Sequence, residues 1–296
     1  MAGPIAFVTC SLQPSGTPDD RLAVDACARR GLEVISAPWD DPTIPWDDFA
    51  AIVIRSTWDY HRKLQGFHEW IDLVEASPAA VFNDPDTLRW NVVKSYLFDL
   101  SEVGVPVIPG VRIDRPTQID PGELRSALGT PDSVVKPLVG AWGDGMFRLS
   151  LDGPGALARL ERAAEAEPIL VQRYVPEIVS RGEWSLIYLG GRYSHAIRKT
   201  PAAGEFRVHE ERGGHLEGLS PPAIVRETAD HAAEALPGIL DVPPLYARVD
   251  LVEGGDGPLL MELELVEPAL YFEFGPGSED RFAAVLVEAL EQRDRG

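Results

Sequence analysis

YARVDLV at 246–252, GGDG at 254–257 and PLLMELELV at 258–266 read together as two strands joined by a turn. Alternate residues of a strand share a face. Met261, Leu263 and Leu265 therefore belong to one face, directed into a core, and Glu262 and Glu264 to the other. A loop over 254–258 sets Asp250 opposite Glu262 and Arg248 opposite Glu264. Three carboxylates then crowd around one guanidinium, and like charges that close are unfavourable. A hard divalent cation bound by Asp250, Glu262 and Glu264 offsets them. A solvated acidic face balanced by Arg248 is the alternative.

Working outward, EWSLIYLGGRYSHAIRK (183–199) is a second hairpin, turning at Gly190-Gly191. Helices follow near 223–236 and at the C-terminus, where Phe282, Val285, Leu286, Ala289 and Leu290 are in register. Upstream, SVVKPLVGAWGDGMFRLS (133–150) reads strand, Gly-rich loop, strand. A helix covers about 154–166, and PILVQRYV (168–175) is another strand. A helix from Asn91 carries Lys94 and the stripe Val93, Tyr96, Leu97, Leu100, before a short strand VPVIPG (105–110) and a looser entry over 111–132. The N-terminal part differs. Strands PIAFVTC (4–10), LEVISA (32–37) and AAIVIRS (50–56) alternate with helices, one showing Phe67, Trp70, Ile71 and Val74 at helical spacing. That alternation argues for a parallel α/β layer. The expected fold class is thus α/β followed by α+β, with domains 1–87 and 88–296 and a lid subdomain over about 111–175.

Composition excludes several functions. The chain of 296 residues has 27 Lys+Arg against 47 Asp+Glu, a formal charge of −20. Such a chain repels nucleic acid and anionic membranes. No apolar run reaches the length of a spanning helix. MAGPIAFVTC has no basic leader and reads as a first strand. Cys10 and Cys27 are the only cysteines, so neither a disulfide framework nor a zinc cluster of thiolates is expected, and a reducing cytoplasm is the simplest location.

Two features suggest phosphate binding. Glycines in Gly140-Ala141-Trp142-Gly143-Asp144-Gly145 permit close backbone approach to an anion. The spacing is neither a Walker A loop nor a dinucleotide fingerprint, and an ordinary hairpin turn is the bland alternative. Lys136 ends an apolar run, where an ammonium is costly unless it meets an anion.

The ordered set Lys94, Lys136, Gly loop, QRYV, Glu183, Asp250, Glu262, Glu264 resembles the ATP-grasp superfamily of carboxylate–amine ligases over about residues 88–275. The resemblance implies an ATP-grasp fold behind a Rossmann-like N-terminal domain. It implies that Lys94 and Lys136 hold the ATP phosphates, that loop 140–145 closes over them, and that Gln172, Arg173, Tyr174 and Val175 form the adenine hinge. Glu183 would sit by the ribose, and Asp250, Glu262 and Glu264 would hold magnesium, or manganese. The last of these is commonly Asn in the superfamily. Arg198, Lys199 and Arg207 would meet the transferred phosphate or the substrate carboxylate, with a solvated strand end as the alternative for Arg198 and Lys199. RSTWDY (55–60), WNVVKSYLFDL (90–100), SHAIRKTPAAGEFRV (194–208), YARVDLV (246–252) and MELELVEPALYF (261–272) are similar to the branch containing the D-cycloserine-forming cyclo-ligase. That implies a small amino-acid-like substrate, an acyl phosphate, and a monomer or homodimer.

Arg55 and Ser56 follow a strand of the parallel layer, on the rim where such sheets bind ligands. Arg55 is accordingly a substrate-carboxylate candidate, a structural salt bridge being the alternative. Cys10 ends a strand on the same rim without a His partner. His195 lies in a quoted motif and is expected to line the pocket; His61, His68, His209, His215 and His231 show no metal spacing. An intermolecular ligase of the same fold, a non-catalytic nucleotide-binding protein and a carboxylate-pair glycan hydrolase are the competing readings.

Overall fold

The computed structural model describes residues 3–114, 119–208 and 213–295. Residues 115–118 of the expected lid range, and His209, lie outside them. The N-terminal layer runs β1 (Ile5–Thr9), α1 (Pro18–Arg29), β2 (Val34–Pro38), β3 (Ala51–Ile54), α2 (Leu64–Glu75) and β4 (Ala80–Phe82). Its four strands are parallel in the order β2-β1-β3-β4. The helix α1 opens on a capping box, Thr17 with Asp20. The face of α2 that its spacing predicts, Phe67, Trp70, Ile71 and Val74, is buried.

The expected single helix from Asn91 is instead two. α3 (Pro85–Val92) and α4 (Tyr96–Glu102) are separated at Val93, which is extended at φ −104° and ψ 121°. The Lys94 amide donates to the Leu138 carbonyl at 2.9 Å rather than continuing α3. Lys94 therefore sits in the break, against the second sheet.

That sheet is antiparallel, in the order β5-β8-β6-β7, from β5 (Gly110–Ile113), β6 (Asp132–Pro137), β7 (Phe147–Ser150) and β8 (Ile169–Arg173). The strand expected over 105–110 begins only at Gly110. Pro106 and Pro109 lack amide donors, and the segment runs along Leu260 instead, with Ile108 N–H to Leu260 O at 3.0 Å. The looser entry holds a helix, α5 (Pro121–Leu128), which Asp120 caps. α6 (Ala156–Ala166) covers the sheet.

After the short α7 (Glu177–Arg181), β9 (Glu183–Leu189), β10 (Arg192–Thr200), β11 (His215–Gly218), β12 (Tyr246–Gly254) and β13 (Gly257–Glu264) build a five-stranded antiparallel sheet ordered β11-β10-β9-β12-β13. α8 (Ala223–Ala235) covers one face through Val225, Ala229 and Ala232. α9 (Ser278–Arg295) packs Phe282 and Leu286 into a core shared by Phe7 of β1 and Tyr246 of β12. The third sheet and the parallel layer are thus joined by one apolar cluster. Asn83 reinforces the joint: its amide donates to the Tyr246 and Leu265 carbonyls at 3.0 and 2.7 Å, and its oxygen accepts from Leu245 N–H.

The decisive hairpin keeps the expected pairing, Arg248 with Glu264 and Asp250 with Glu262. Its turn is shorter, because Gly254 pairs with Gly257. A bulge between Asp250 and Leu251 absorbs the difference, with Leu251 opposite Leu260. The extra residue is Met261. It leaves the face of Leu263 and Leu265 and turns toward Val252 and Tyr174.

Candidate active site

A cavity of about 320 Å³ is lined from both antiparallel sheets and from the segment after β3. One end is apolar. Ile108, Tyr174, Val175, Ile178, Val252 and the displaced Met261 cluster there. Gln172 is buried in this wall and its amide reaches Ile108 O at 3.4 Å. The Arg173 and Tyr174 amides are already bonded to Pro109 O and Asp132 O at 2.9 and 3.0 Å.

The other end is charged. Asp250, Glu262 and Glu264 carry carboxylate oxygens within 4.8 Å of one another. Lys136 Nζ is 3.0 Å from Glu262, and Lys94 Nζ is 3.7 Å from it while donating to Gly140 O at 2.7 Å. Lys199 pairs with Glu183 at 2.8 Å and lies 3.9 Å from Asp250. Arg248 Nη2 donates to Asp250 at 2.9 Å and also to Glu264. Ser185 hydroxyl donates to Asp250. The anion that buried Lys136 needs is, in the ligand-free protein, Glu262.

Electrostatics divide these acids. Burial works against ionisation of Glu262, but Lys94 and Lys136 outweigh it and hold the carboxyl well below its ordinary value. Burial likewise opposes Asp250, and Arg248 and Lys199 prevail. At Glu264 burial wins over the pull of Arg248; with the charges of Asp250 and Glu262 it pushes the carboxyl up to about 7. Glu267, next on the same wall, is pushed up to about 8 by burial and by Glu264. Burial lowers Lys136, and Glu262 opposes the shift.

Local backbone builds this geometry. Gly182 has φ 78°, and a Cβ there would lie 2.4 Å from Lys199 O; a glycine lets β9 and β10 bring Glu183 and Lys199 together. Gly145 has φ 71°, and its Cβ would meet Pro137 Cγ at 2.8 Å, so the loop folds tightly against the end of β6. Trp142 and Tyr271, both on the cavity wall, have positive φ of 61° and 52°. Strained non-glycine residues of this kind cluster at functional sites. The Trp142 ring meets Trp58 edge-on at 4.8 Å, and Asp144 pairs with Arg62 at 2.6 Å, so the loop reaches the N-terminal layer.

Of the residues expected from sequence, Lys94, Lys136, Gly140, Ala141, Trp142, Gly143, Gln172, Arg173, Tyr174, Val175, Glu183, Lys199, Arg207, Asp250, Glu262 and Glu264 line this cavity. Arg207 is held by Glu205 at 2.7 Å. Five candidates do not line it; Gly145 is one, packed against Pro137 at the base of the loop. Arg198 alternates with Lys199 along β10, so it faces away and pairs with Glu217 at 3.3 Å. Arg55 is fully buried beneath Tyr246 and Phe282, with Nε 3.0 Å from Asp20; this is the structural salt bridge, not a cavity residue. Ser56 is buried beside it, its hydroxyl without a protein partner. His195 Nε2 lies 2.9 Å from Leu270 O and 3.1 Å from Tyr271 O, which uses the ring as a brace for the 270–271 backbone. Sequence reasoning missed Trp58, Tyr60, Glu267 and Tyr271, and treated Arg248 only as a charge balance. The signal for Arg248 was its place between two carboxylates.

Residues 5–83 match the family described as D-cycloserine synthetase DcsG, N-terminal domain. Residues 123–239 match prokaryotic glutathione synthetase, ATP-grasp domain. The chain is 30% identical to the cycloserine biosynthesis protein DcsG of Streptomyces lavendulae, over 98% of this chain and 99% of that one. It is 26% identical to a glutathione synthetase of Prochlorococcus marinus, over 85% of this chain and 79% of the relative. Among solved structures, D-cycloserine synthetase DcsG superposes with a TM-score of 0.87 at 29% identity, over 97% of this chain and all of that one, 100%. D-alanine–D-alanine ligase of Bacillus anthracis shares the fold, with a TM-score of 0.73 at 14% identity over 100% of both chains.

Proposed function

Because the chain belongs to the DcsG family of ATP-grasp ligases, we propose that its cavity binds ATP between the two antiparallel sheets and joins a carboxylate to a nitrogen of a small amino-acid-like substrate. The observation that carries this reading is the polarity of one continuous cavity: an apolar wall at the Gln172–Val175 segment, and four cations with the acidic triad at the other end. A base fits the first and a polyphosphate the second. On this reading residues 88–296 are the ATP-grasp unit, 111–175 its lid, and 1–87 the substrate-side domain.

The donor chemistry of Asp250, Glu262 and Glu264 fits a hard divalent cation, since all three present oxygen within 4.8 Å of one another. Magnesium or manganese bound by these three residues would supply neutralisation of the phosphate charge. The chain's own groups do the rest. Lys94 and Lys136 bind the phosphates beside the loop 140–145, and Lys199 and Arg207 approach from the opposite wall. A substrate carboxylate oxygen attacks the γ-phosphorus, ADP leaves, and an acyl phosphate forms. A nitrogen then attacks the acyl carbon, loses its proton, and phosphate departs with the former carboxylate oxygen. Arg248, pointing from β12 into this end, can stabilise the developing oxyanion. The Trp142–Trp58 contact covers the loop and excludes water from the intermediate.

We further infer ring closure within one molecule, as with O-ureido-D-serine. The near-complete overlap with a cycloserine biosynthesis protein supports it. A tethered nucleophile gains an effective molarity that can reach ~10⁵ M or more, and it needs one compact pocket. The glutathione synthetase match over 123–239 favours an intermolecular ligase as the second reading. A phosphate-release assay with ATP, magnesium and O-ureido-D-serine, then single amino acids, then pairs, tests both, with products read by mass spectrometry. Turnover with a single acid is expected. Turnover only with pairs replaces cyclisation by coupling, and no turnover with any of them rejects the ligase.

A further inference from the structure

We propose that Glu267 is the specificity residue for the cationic group of the substrate: its carboxylate receives the α-ammonium of the amino acid whose own carboxylate is activated. This rests on the reading of the cavity as an amino-acid ligase site.

Four observations lead there. First, Glu267 lines the cavity, and the Glu264 charge acts on it. Second, it is the odd carboxylate of the charged end. Glu183 has Lys199, Glu262 has Lys136 and Lys94, and Asp250 and Glu264 share Arg248. Glu267 has no ion pair among the described residues. The cations that act on it from a distance, Lys94 and Arg248, are committed to Gly140 O and to Asp250 and Glu264. With no cation beside it this carboxyl keeps its proton, and an arriving ammonium draws it into the ionised form.

Third, its position is fixed in advance. Tyr246 hydroxyl donates to Val266 O at 3.1 Å, and the Trp58 indole donates to Glu267 O at 3.1 Å. Pro268 follows immediately and restricts the backbone further. Groups preorganised in this way lose little on binding. Fourth, Trp58, whose indole reaches the Glu267 carbonyl, and Tyr60 line the cavity as well, and aromatic faces favour an ammonium. The substrate carboxylate must reach the phosphate end held by Lys136 and Arg248. An α-ammonium stands one carbon away from that carboxylate, so a carboxylate at the edge of that end is where it needs a partner.

The test compares acids with and without the amino group: O-ureido-D-serine, D-serine and D-alanine against 3-(ureidooxy)propanoate, 3-hydroxypropanoate and propanoate, by phosphate release with ATP and magnesium. Wild type should prefer the amino acid by about 10²-fold in kcat/KM, the order of one lost hydrogen bond to a charged group. Glu267→Gln should cut that preference to a few-fold through KM, leaving the KM for ATP and the magnesium dependence unchanged. Glu267→Asp should keep part of the preference, and it serves as the second variant if the first folds poorly. Unchanged discrimination in both variants overturns the proposal. So does an increased magnesium requirement, which makes Glu267 a metal ligand. If wild type uses amino and des-amino acids equally, the ligase reading stands and this inference fails; if it uses none of the six, singly or in pairs, the ligase reading itself has failed.

Discussion

The molecule contains two buried arginines that each hold two acids, and they mean different things. Arg55 sits under Tyr246 and Phe282 with Asp20 at 3.0 Å and Asp19 at 3.6 Å. Arg248 sits between Asp250 and Glu264 at the wall of the cavity. In sequence both end or occupy strands; Arg55 reads as an anchor for a substrate carboxylate, and Arg248 only as a balance for the acids around it. The first is closed on itself: aromatic rings cover the guanidinium, and Arg55 is not among the residues that line the cavity. The second faces open space, with more carboxylates around it than one cation can satisfy. Surplus charge directed at a cavity marks the functional site; a buried ion pair alone does not.

Removing each arginine should separate the two regions most strongly. Arg55→Met leaves Asp20 uncompensated in a closed interior, and the expected loss of stability is about 3–5 kcal/mol. Urea midpoints measure it. Arg248→Met should also destabilise, but magnesium can then meet Asp250 and Glu264, so millimolar magnesium should recover stability in that variant and not in Arg55→Met. Equal behaviour of the two variants in magnesium breaks the comparison.

Next in size is the metal requirement. Asp250→Asn and Glu262→Gln each remove a ligand charge, and charge sets the affinity for a hard cation. Roughly a tenfold rise in the magnesium concentration for half-maximal turnover is expected in each, on the order of 1.4 kcal/mol. Titrations with unchanged midpoints in both variants remove the triad from metal binding.

A smaller effect lies in the pH dependence of stability. Glu264 titrates at about 7 in the folded chain, above its ordinary 4.5, so the folded state holds the proton more tightly than the unfolded state. Its contribution is full below pH 4.5 and is lost as the pH rises through 7. Glu267, at about 8, acts in the same direction. In metal-free buffer the Tm should therefore fall between about pH 5 and 8. Glu264→Gln should flatten that fall, and so should magnesium. A variant with the wild-type slope contradicts the placement of Glu264 in a crowded acidic end. The smallest change is expected at Arg198→Ala, which loses a surface pair with Glu217 and should alter stability by less than about 0.5 kcal/mol, with turnover unchanged.

How much of this was legible in the sequence varies with the range of the cause. The pairing of Asp250 with Glu262 follows from strand alternation and a short connection, and it is observed. The parallel layer and the Gly loop between β6 and β7 follow from local patterns too. Met261 was assigned to the wrong face because a single bulged residue reverses alternation, and nothing in PLLMELELV marks its place. Lys94 was put on a helix because the apolar stripe continues through the break; the Leu138 carbonyl that interrupts it is distant in sequence. Arg198 was readable and misjudged, since neighbours in a strand face opposite ways. Arg55 needed tertiary knowledge: only packing against β12 and α9 shows that aromatic rings close over it.

The most direct test of the central claim is the thermal shift of wild type and of Lys136→Ala with ATP and magnesium. Ligand at ~100 times its dissociation constant stabilises the folded state by about 2.7 kcal/mol, roughly 4–5 °C for a chain of this size. The account predicts that shift in wild type and most of it lost in Lys136→Ala, with the two unliganded proteins folded alike. No shift in wild type, or an equal shift in both, contradicts a nucleotide phosphate site at the charged end of the cavity.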